Sequence, residues 1–501
     1  MLLALLAVPT AGVAYEAGVH VPMRKKRHGL ASRRRQLVGS GALEGSLFSD
    51  YMVAVTVTQP GGQPQSFEVI VDSGSSTFAV AAAATLNCSP YYVGTCDGVT
   101  TSNAYGDGSG FTAQACHGAD VNIAGLSAGQ PIFAGIKTQS GGFFTDCSPD
   151  YAGINNQGIL GLAWATLANS PYNVSTLLDS VVATEGIADM YSVQCCGWDG
   201  AASGTGTLVL GGAPQSLFTG EQPTVVLGPS TLPVRLTRGL LPGAGSLIWT
   251  NVTDQTYFCV SMTYPSSDDH SSCESGNAII DSGTSDITLL SDAFDVVMAP
   301  VASALTRLLN RSISLEYLRL SSSDLTLTAD VVDALPDIVL AFAGGVALSV
   351  PASTYFQPHP GYGEACYLLA VSVGDDNIIG QAMMEAYFTV FDKANRRVGF
   401  APIAGCPRRT DASCAAAAAV VLPPSPPHQY FYSYEGVDEG SYEELASDSP
   451  PPSAPTPEPR RSWALTWRYT TAYGWGWKWL GGSWMNWGWG TGAPGWGWVW
   501  S

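Results

Sequence analysis

The chain has 501 residues, a formal net charge of −19 at pH 7, 46% hydrophobic residues and only 13% charged residues. This length and apolar content suffice for two separate cores, and the strongly acidic balance argues against nucleic acid as a partner. The 11 cysteines, in a chain with an apolar leader, predict disulfides, and their odd number leaves at least one cysteine outside a pair.

The first predicted element is an export signal. Residues 2–8 form an apolar run followed by small residues, and this run is too short to span a bilayer. We interpret residues 1–14 as a signal peptide, which implies the secretory pathway and an extracellular or acidic endomembrane location. Four Asn-x-Ser/Thr sequences are candidate glycosylation sites in such a protein. They begin at Asn87, Asn173, Asn251 and Asn310.

A basic segment follows this leader. Residues 15–44 carry two clusters of Arg and Lys, at 24–27 and 33–35. Such clusters also occur as nuclear or nucleic-acid signals, but behind a signal peptide they favour a propeptide. A basic propeptide can neutralise an acidic cleft until low pH weakens the ion pairs. Arg27 and Arg35 are then the candidate processing points.

A carboxylate at the end of a predicted strand is the first candidate site of the chain. Residues 69–77 read Val-Ile-Val-Asp-Ser-Gly-Ser-Ser-Thr, and the β-branched residues predict a buried strand that stops at Asp72. A buried carboxylate is costly unless hydrogen bonds hold it. Gly74 permits a sharp turn that brings N–H groups near the carboxylate, and Ser73 and Ser75 add hydroxyl donors. This segment is therefore typical of a site.

The segment is repeated in the second half of the chain. Residues 278–285 read Ala-Ile-Ile-Asp-Ser-Gly-Thr-Ser, with Asp281 in the place of Asp72. Each copy is followed at a similar distance by an apolar-apolar-Gly element, at 159–161 and at 378–380. One Asp-Ser-Gly sequence is ordinary turn chemistry. Two copies in matched contexts predict an internal duplication with one carboxylate in each half.

The duplicated motif resembles that of the pepsin-like aspartic proteases, which usually have Thr at the positions of Ser73 and Ser282. The resemblance covers about residues 45–407, and within the family it is nearest to the β-secretase (memapsin) branch. Other matching segments are 158–163, 335–339, 387–395 and 398–402 for the family, and 76–80, 191–197 and 366–371 for the branch.

The resemblance implies a mainly β, bilobal fold: a double β-barrel with pseudo-twofold duplication and a few short helices. Together with the changes in composition it predicts six segments. They are a signal peptide (1–14), a basic propeptide (15–44), an N-terminal catalytic lobe (45–215), a C-terminal catalytic lobe (216–410), a Pro/Ala/Ser-rich linker (411–461) and a Trp/Gly-rich tail (462–501).

The tail contains most of the 14 tryptophans of the chain. Gly residues, Lys478 and Pro494 interrupt it, so it does not read as a membrane-spanning helix. It could lie at a membrane interface or bind glycans by stacking, and a terminus without function is an equal alternative. Membrane association is therefore left open by the sequence.

The resemblance assigns Asp72 and Asp281 as the catalytic residues. Two carboxylates in contact cannot both ionise cheaply, so the pair shares one proton. The aspartic proteases are the standard example of this effect. The ionised partner takes a proton from water, and the protonated partner polarises the scissile carbonyl. Six neighbours would support the pair, by bonding the carboxylates or joining the two motifs: Ser73, Gly74, Ser75, Ser282, Gly283 and Thr284.

A glycine-rich turn led by a tyrosine lies between the first Asp motif and its apolar-apolar-Gly element. Residues 105–110 read Tyr-Gly-Asp-Gly-Ser-Gly. An ordinary hairpin turn is one interpretation, and a phosphate loop would require a lysine that is missing. The position matches the flap of the family, in which Tyr105 and Gly106 would cover the bound substrate.

The expected disulfide pairs come from the spacing of the cysteines and from the resemblance. Local spacing favours the pairs Cys88–Cys96 and Cys116–Cys147. The resemblance to β-secretases implies that Cys195 or Cys196 bonds to Cys406 and that Cys273 bonds to Cys414. It leaves Cys259 and Cys366 unassigned.

These features predict an aspartic-type endopeptidase, a hydrolase made as a zymogen, that acts as a monomer on protein or peptide substrates. The six histidines show no metal-binding spacing, so no metal and no cofactor are expected. β-Secretases have an arginine where this chain has Thr288, so the resemblance gives no basis for a preference for acidic substrates. A catalytically silent binding protein and a structural surface protein are the alternatives.

Overall fold

The computed structural model describes residues 19–25, 50–106, 108–123, 125–140, 143, 156–167, 176–197, 205–219, 224–226, 235–237, 247–265, 273, 277–320, 325, 327–358, 367–406, 433–434, 476–480 and 483–487. The chain divides into two units, Met1–Val437 and Asp438–Ser501. The signal peptide and most of the predicted linker and tail lie outside the described residues. None of the helices that the structure does describe is long and apolar enough to cross a membrane.

The first half of the larger unit is built mostly from strands. They are β1 Val19–Lys25, β2 Tyr51–Thr58, β3 Gln65–Asp72, β4 Phe78–Ala81, β5 Cys96–Tyr105, β6 Gly110–Cys116, β7 Asp120–Ile123, β8 Leu126–Ser127, β9 Phe133–Ser140, β10 Gly158–Gly161, β11 Tyr191–Cys195 and β12 Thr205–Leu210. Short 3-10 turns occur at Ala84–Leu86, Ala165–Leu167 and Gln215–Leu217. Helix α1, Leu177–Glu185, begins at a capping box in which Thr176 and Asp179 satisfy each other's backbone N–H groups.

The second half has the same character with more helix. Its strands are β13 Thr224–Val226, β14 Arg235–Thr237, β15 Ile248–Asn251, β16 Cys259–Tyr264, β17 Asn277–Ile280, β18 Ile287–Leu289, β19 Ile338–Phe342, β20 Val346–Val350, β21 Phe356–Pro358, β22 Tyr367–Leu369, β23 Val371–Val373, β24 Ile378–Ile379, β25 Tyr387–Asp392, β26 Arg397–Pro402 and β27 Ser433–Tyr434. Its helices are α2 Ser291–Leu308, α3 Leu315–Leu320, α4 Ala329–Asp333, α5 Ala352–Tyr355 and α6 Gln381–Met384. In the smaller unit, β28 Gly476–Leu480 and β29 Ser483–Trp487 form an antiparallel hairpin.

Two sheets organise the larger unit. The first runs β15-β26-β25-β11-β12-β1-β2-β3-β10-β4-β9-β6-β5-β27, and the second runs β20-β19-β16-β17-β24-β18-β23. Strand β11 of the first half pairs antiparallel with β25 of the second, so a continuous sheet joins the halves. The chain is thus mainly β, with few short helices, and agrees with the predicted bilobal pepsin-like fold.

The duplication seen in the sequence has a structural counterpart in each half. Strand β10 lies between β3, to which it is parallel, and β4, to which it is antiparallel. In the second half, strand β24 likewise lies between β17, to which it is parallel, and β18, to which it is antiparallel. The glycines that end the two apolar-apolar-Gly elements make equivalent bonds, each to the carbonyl five residues after the aspartate. Gly161 N–H donates to Thr77 O at 3.0 Å, and Gly380 N–H donates to Asp286 O at 3.1 Å. Each Asp-Ser-Gly turn is therefore held by its own apolar-apolar-Gly element.

Part of the predicted propeptide is a strand of the first sheet. Strand β1 pairs with β12 over six residues and meets β2 at its end, where Arg24 faces Met52 and Lys25 faces Tyr51. Over these residues the segment pairs through its backbone within the sheet, and its action as a propeptide stays a prediction. The second basic cluster, at 33–35, lies outside the described residues.

The disulfides correct the expected pairing. The structure describes Cys96–Cys116, Cys196–Cys406 and Cys259–Cys273. The expected pairs Cys88–Cys96, Cys116–Cys147 and Cys273–Cys414 are therefore wrong, although Cys88 is also disulfide-bonded. Cys406 bonds to Cys196, whereas the adjacent Cys195 is fully buried in strand β11. Cys147, Cys366 and Cys414 lie outside the described residues.

Strand pairing explains the corrected bonds. Cys96 and Cys116 face each other across the paired strands β5 and β6, where the register places them opposite one another. Cys259 opens β16, which runs antiparallel to β17, and Cys273 lies in the turn between these two strands. Spacing along the chain does not contain this register.

Candidate active site

Two aspartates end equivalent strands and are buried. Asp72 is the last residue of β3, and Asp281 directly follows β17. Each side chain is only 1% exposed. The apolar residues of β3 and β17 that precede the two aspartates are buried in the core. The fold thus delivers one carboxylate from each half, as the duplication predicted.

Each carboxylate receives the same set of hydrogen bonds. Asp72 Oδ1 accepts from Gly74 N–H at 2.8 Å, and its Oδ2 accepts from the Ser75 hydroxyl. Asp281 Oδ1 accepts from Gly283 N–H at 2.8 Å, and its Oδ2 accepts from the Thr284 hydroxyl at 2.6 Å. These donors offset part of the cost of burying an acid, and they fix the plane of each carboxylate.

The two motifs bind each other through reciprocal serine contacts, which we call the interlock. Ser73 Oγ donates to Ile280 O at 3.1 Å and accepts from Ser282 N–H at 2.7 Å. Ser282 Oγ donates to Val71 O at 2.8 Å and accepts from Ser73 N–H at 3.0 Å. Serine in place of the family's usual threonine therefore still supplies both the donor and the acceptor of each cross-contact.

The two carboxylates are electrostatically coupled. Burial raises the pKa of Asp72 well above its ordinary value, and the charge of Asp281 raises it further, against the opposing effects of Ser75 and Gly74. Burial also raises the pKa of Asp281, although hydrogen bonds from Thr284 and Gly283 act against it. The two side chains are close enough to hydrogen bond to each other. Both effects disfavour two ionised carboxylates and so favour a pair that shares one proton.

Close packing of the second motif against the first carboxylate requires a glycine. A Cβ added at Gly283 would overlap Oδ1 of Asp72 and would lie 2.8 Å from its Cγ. Because three neighbouring groups hold that carboxylate, it cannot move aside without breaking its hydrogen bonds. Gly283 therefore supplies space between the halves as well as a backbone donor.

The predicted flap residues lie at the end of a hairpin. Tyr105 ends β5 and is 7% exposed, and Gly106 is an exposed residue of the turn that leads to β6. The Tyr105 ring stacks on Phe143 at 5.4 Å and also contacts Phe111 at 6.1 Å. The tyrosine thus packs in an aromatic cluster within the first half, and the described contacts do not join it to the aspartate pair.

Several residues at the site were not found from the sequence. The hairpin is tied to the loop after Asp72 because Asn103 Nδ2 donates to Thr77 Oγ1 at 3.4 Å. Gln381 is buried and donates from Nε2 to Ser282 O at 2.8 Å, which supports the second motif from behind. Gln381 follows the second apolar-apolar-Gly element directly, so its position in the duplicated pattern was a usable signal.

Comparison with known proteins agrees with this geometry. A model of the eukaryotic aspartyl protease family matches residues 50–231 and 243–403, which include both aspartates. The chain belongs to this family. Pepsin A of Sus scrofa is 26% identical over 389 residues, covering 74% of this chain and 85% of that relative. Pepsin A of Bos taurus is 26% identical over 406 residues, covering 76% of this chain and 93% of the relative.

The residues that the family model matches include both Asp-Ser-Gly motifs. The similarity to pepsin A supports the family and does not single out the β-secretase branch that the motif segments suggested. Two coupled carboxylates, one from each half, are groups that can accept and donate protons.

Proposed function

We propose that this protein is an aspartic endopeptidase, a hydrolase that cleaves peptide bonds with Asp72 and Asp281 as the catalytic pair. The observation that carries the proposal is the pair of buried carboxylates beside the interlock, one from each half, each held by a glycine N–H and a hydroxyl. A purely structural pair of acids would be expensive to keep, because burial penalises the charged forms of both. The cost is accounted for if the shared proton is used in catalysis.

The proposed mechanism uses the pair with one proton on it. The ionised carboxylate removes a proton from a water molecule, which attacks the scissile carbonyl carbon. The protonated carboxyl donates a hydrogen bond to the carbonyl oxygen and stabilises the charge that develops there. Transfer of that proton to the carbonyl oxygen gives a tetrahedral diol. The carboxyl that took the water's proton then gives it to the amide nitrogen as the C–N bond breaks, a diol hydroxyl returns its proton to the other carboxylate, and no covalent enzyme intermediate forms. The hydrogen bonds from Ser75, Thr284 and the two glycine N–H groups hold both carboxylates in plane through this cycle.

The same electrostatics predict activity in acid. Because burial raises the pKa of both groups, the singly protonated pair persists to a higher pH than two isolated aspartic acids would allow. Activity should fall at low pH as the second carboxyl becomes protonated, and at high pH as the shared proton is lost. The working range therefore lies in the acidic region, in keeping with an acidic endomembrane or extracellular site of action.

We further propose that the protein is made as a zymogen and acts as a secreted monomer on protein or peptide substrates. Strand β1 supports the zymogen proposal, because residues 19–25 pair with β12 and β2 and their removal would leave these two strands without that partner. Processing at Arg27 or Arg35 would release this strand. Membership in the β-secretase branch, and a flap role for Tyr105 and Gly106, are parts of the same proposal.

The proposed function is tested by incubating the processed protein with an unfolded protein substrate across acidic and neutral pH. We expect internal cleavage in acid that pepstatin, an inhibitor of aspartic proteases, blocks. A serine-protease inhibitor and a metal chelator serve as matched controls and should have no effect. Intact substrate at every pH, or cleavage that pepstatin leaves unchanged, would favour a silent binding protein over a peptidase.

A further inference from the structure

A tyrosine that the mechanism does not use lies in the strand that joins the two halves. Tyr191 opens β11 and pairs with Phe391 of β25, the strand of the other half that neighbours β11 in this sheet. Its side chain is completely buried. The ring stacks on Phe391 at 4.7 Å with an interplanar angle of 11°, and its edge contacts Phe258 at 6.0 Å. Phe391 and Phe258 also contact each other, and this aromatic cluster restricts where the hydroxyl points.

The Tyr191 ring packs beside the interlock. It contacts Phe258, whose carbonyl oxygen accepts from Ile280 N–H at 3.1 Å, and Ile280 O in turn accepts from Ser73. Burial raises the pKa of this phenol well above its ordinary value, and the charges of Asp72 and Asp281 raise it further, whereas the Ser73 side chain lowers it. The oxygen is buried, and no described group satisfies it with standard hydrogen-bond geometry. A buried hydroxyl in this state is costly. It is also a fixed donor, because it stays protonated throughout the acidic and neutral range.

Ser73 has the capacity to accept a further hydrogen bond. Its hydroxyl proton goes to Ile280 O at 3.1 Å, and one lone pair accepts from Ser282 N–H at 2.7 Å. A hydroxyl oxygen has two lone pairs, so one acceptor position remains. Tyr191, whose pKa responds to the Ser73 side chain, carries a matching donor.

We infer that Tyr191 is a positioning residue for the aspartate pair, whose hydroxyl donates to Ser73 Oγ and so completes the interlock. Its side chain is fully buried, and its proposed contact with the pair runs through Ser73 rather than through substrate. It acts by fixing the Ser73 hydroxyl, which in turn holds the turns after Ile280 and Val71 against each other. Its O–H dipole also favours the ionised form of the nearby carboxylates. These catalytic consequences rest on the proposed function.

The catalytic test compares Tyr191→Phe with Tyr387→Phe. Tyr387 is a matched control: it is also buried, and its hydroxyl bonds to Ser349 N and O at 2.9 and 3.1 Å, in the second half. We expect Tyr191→Phe to lower kcat about three- to tenfold with KM unchanged. The acid limb of its pH–rate profile should rise by about half a pH unit. Tyr387→Phe should leave the profile unchanged.

An independent test needs no activity and measures Tm in a double-mutant cycle. Tyr191→Phe should lower Tm by about 2–4 °C in the wild-type background and by much less in Ser73→Ala, which lacks the acceptor. The loss should persist in Ser73→Thr, which keeps the hydroxyl and serves as a second background. Equal losses in the wild-type and Ser73→Ala backgrounds would overturn the inference, even in an active peptidase. A non-additive cycle in a chain that cleaves nothing would uphold the contact and reject only the proposed function.

Discussion

Replacing Asp72 by Asn is expected to abolish peptide cleavage, with a loss of at least about 10²–10⁴-fold in kcat/KM. The amide keeps the shape and part of the hydrogen bonding of the carboxylate but can neither remove a proton from water nor share one with Asp281. The measurement is the rate of peptide hydrolysis in acid. Asp281→Asn should behave in the same way, because both members act on one proton.

Asp254→Asn is the matched control for this substitution. The Asp254 carboxylate also accepts from a backbone N–H two residues later, at 3.1 Å, and from a hydroxyl, the side chain of Thr256. It lies outside the interlock, so its amide variant should retain wild-type activity. If Asp72→Asn keeps a substantial fraction of the activity, or if Asp254→Asn loses as much, the assignment of the catalytic pair is wrong.

The same variant makes a prediction for stability that does not depend on catalysis. The folded protein binds protons at Asp72 more tightly than the unfolded chain does, because the pKa is raised. Wild-type stability should therefore fall as pH rises from the ordinary aspartate range to the raised value. Asn removes this penalty, so Asp72→Asn should be more stable than the wild type at neutral pH, and the difference should vanish in strong acid.

Replacing Gly283 by Ala should also inactivate the protein, although it adds a single methyl group. The new Cβ would overlap the Asp72 carboxylate, which is held by the Gly74 N–H and the Ser75 hydroxyl. Displacing a catalytic group by about 1 Å can cost about 10²-fold in rate, and we expect a loss of at least that size. The assay is kcat in acid, together with circular dichroism to show that the fold is retained.

Gly98→Ala separates the overlap with Asp72 from the general effect of adding a methyl group to a glycine. Gly98 lies in β5, is exposed, and an added Cβ there would meet nothing within 4 Å. This variant should keep both its fold and its activity. Full activity in Gly283→Ala would mean that the two motifs do not approach as closely as the geometry requires.

The sequence predicted the duplicated framework because the framework is local. An apolar run that ends at Asp-Ser-Gly specifies a buried strand and a tight turn, and its repetition places Asp72 and Asp281 in equivalent positions. Pairing between distant strands is not local, and there the predictions failed. The bond Cys96–Cys116 depends on the register of β5 against β6, which chain spacing does not reveal.

Contacts across the halves were hidden for the same reason. Tyr191 reads from the sequence as one apolar residue of a strand, and only the pairing of β11 with β25 brings it to the interlock. Within the second half, Gln381 also reaches Ser282 only through tertiary packing. The pairing of residues 19–25 with β12 was hidden in the same way, because the basic charge of the segment drew the interpretation and the strand register did not.

The pH dependence of kcat/KM for the processed protein tests the shared-proton pair most directly. The two coupled carboxyls predict a bell-shaped profile with its maximum in acid, an upper limb above the ordinary pKa of aspartic acid, and no bell in either Asp→Asn variant. A flat profile, a maximum at neutral or alkaline pH, or a bell that survives Asp281→Asn would contradict the account.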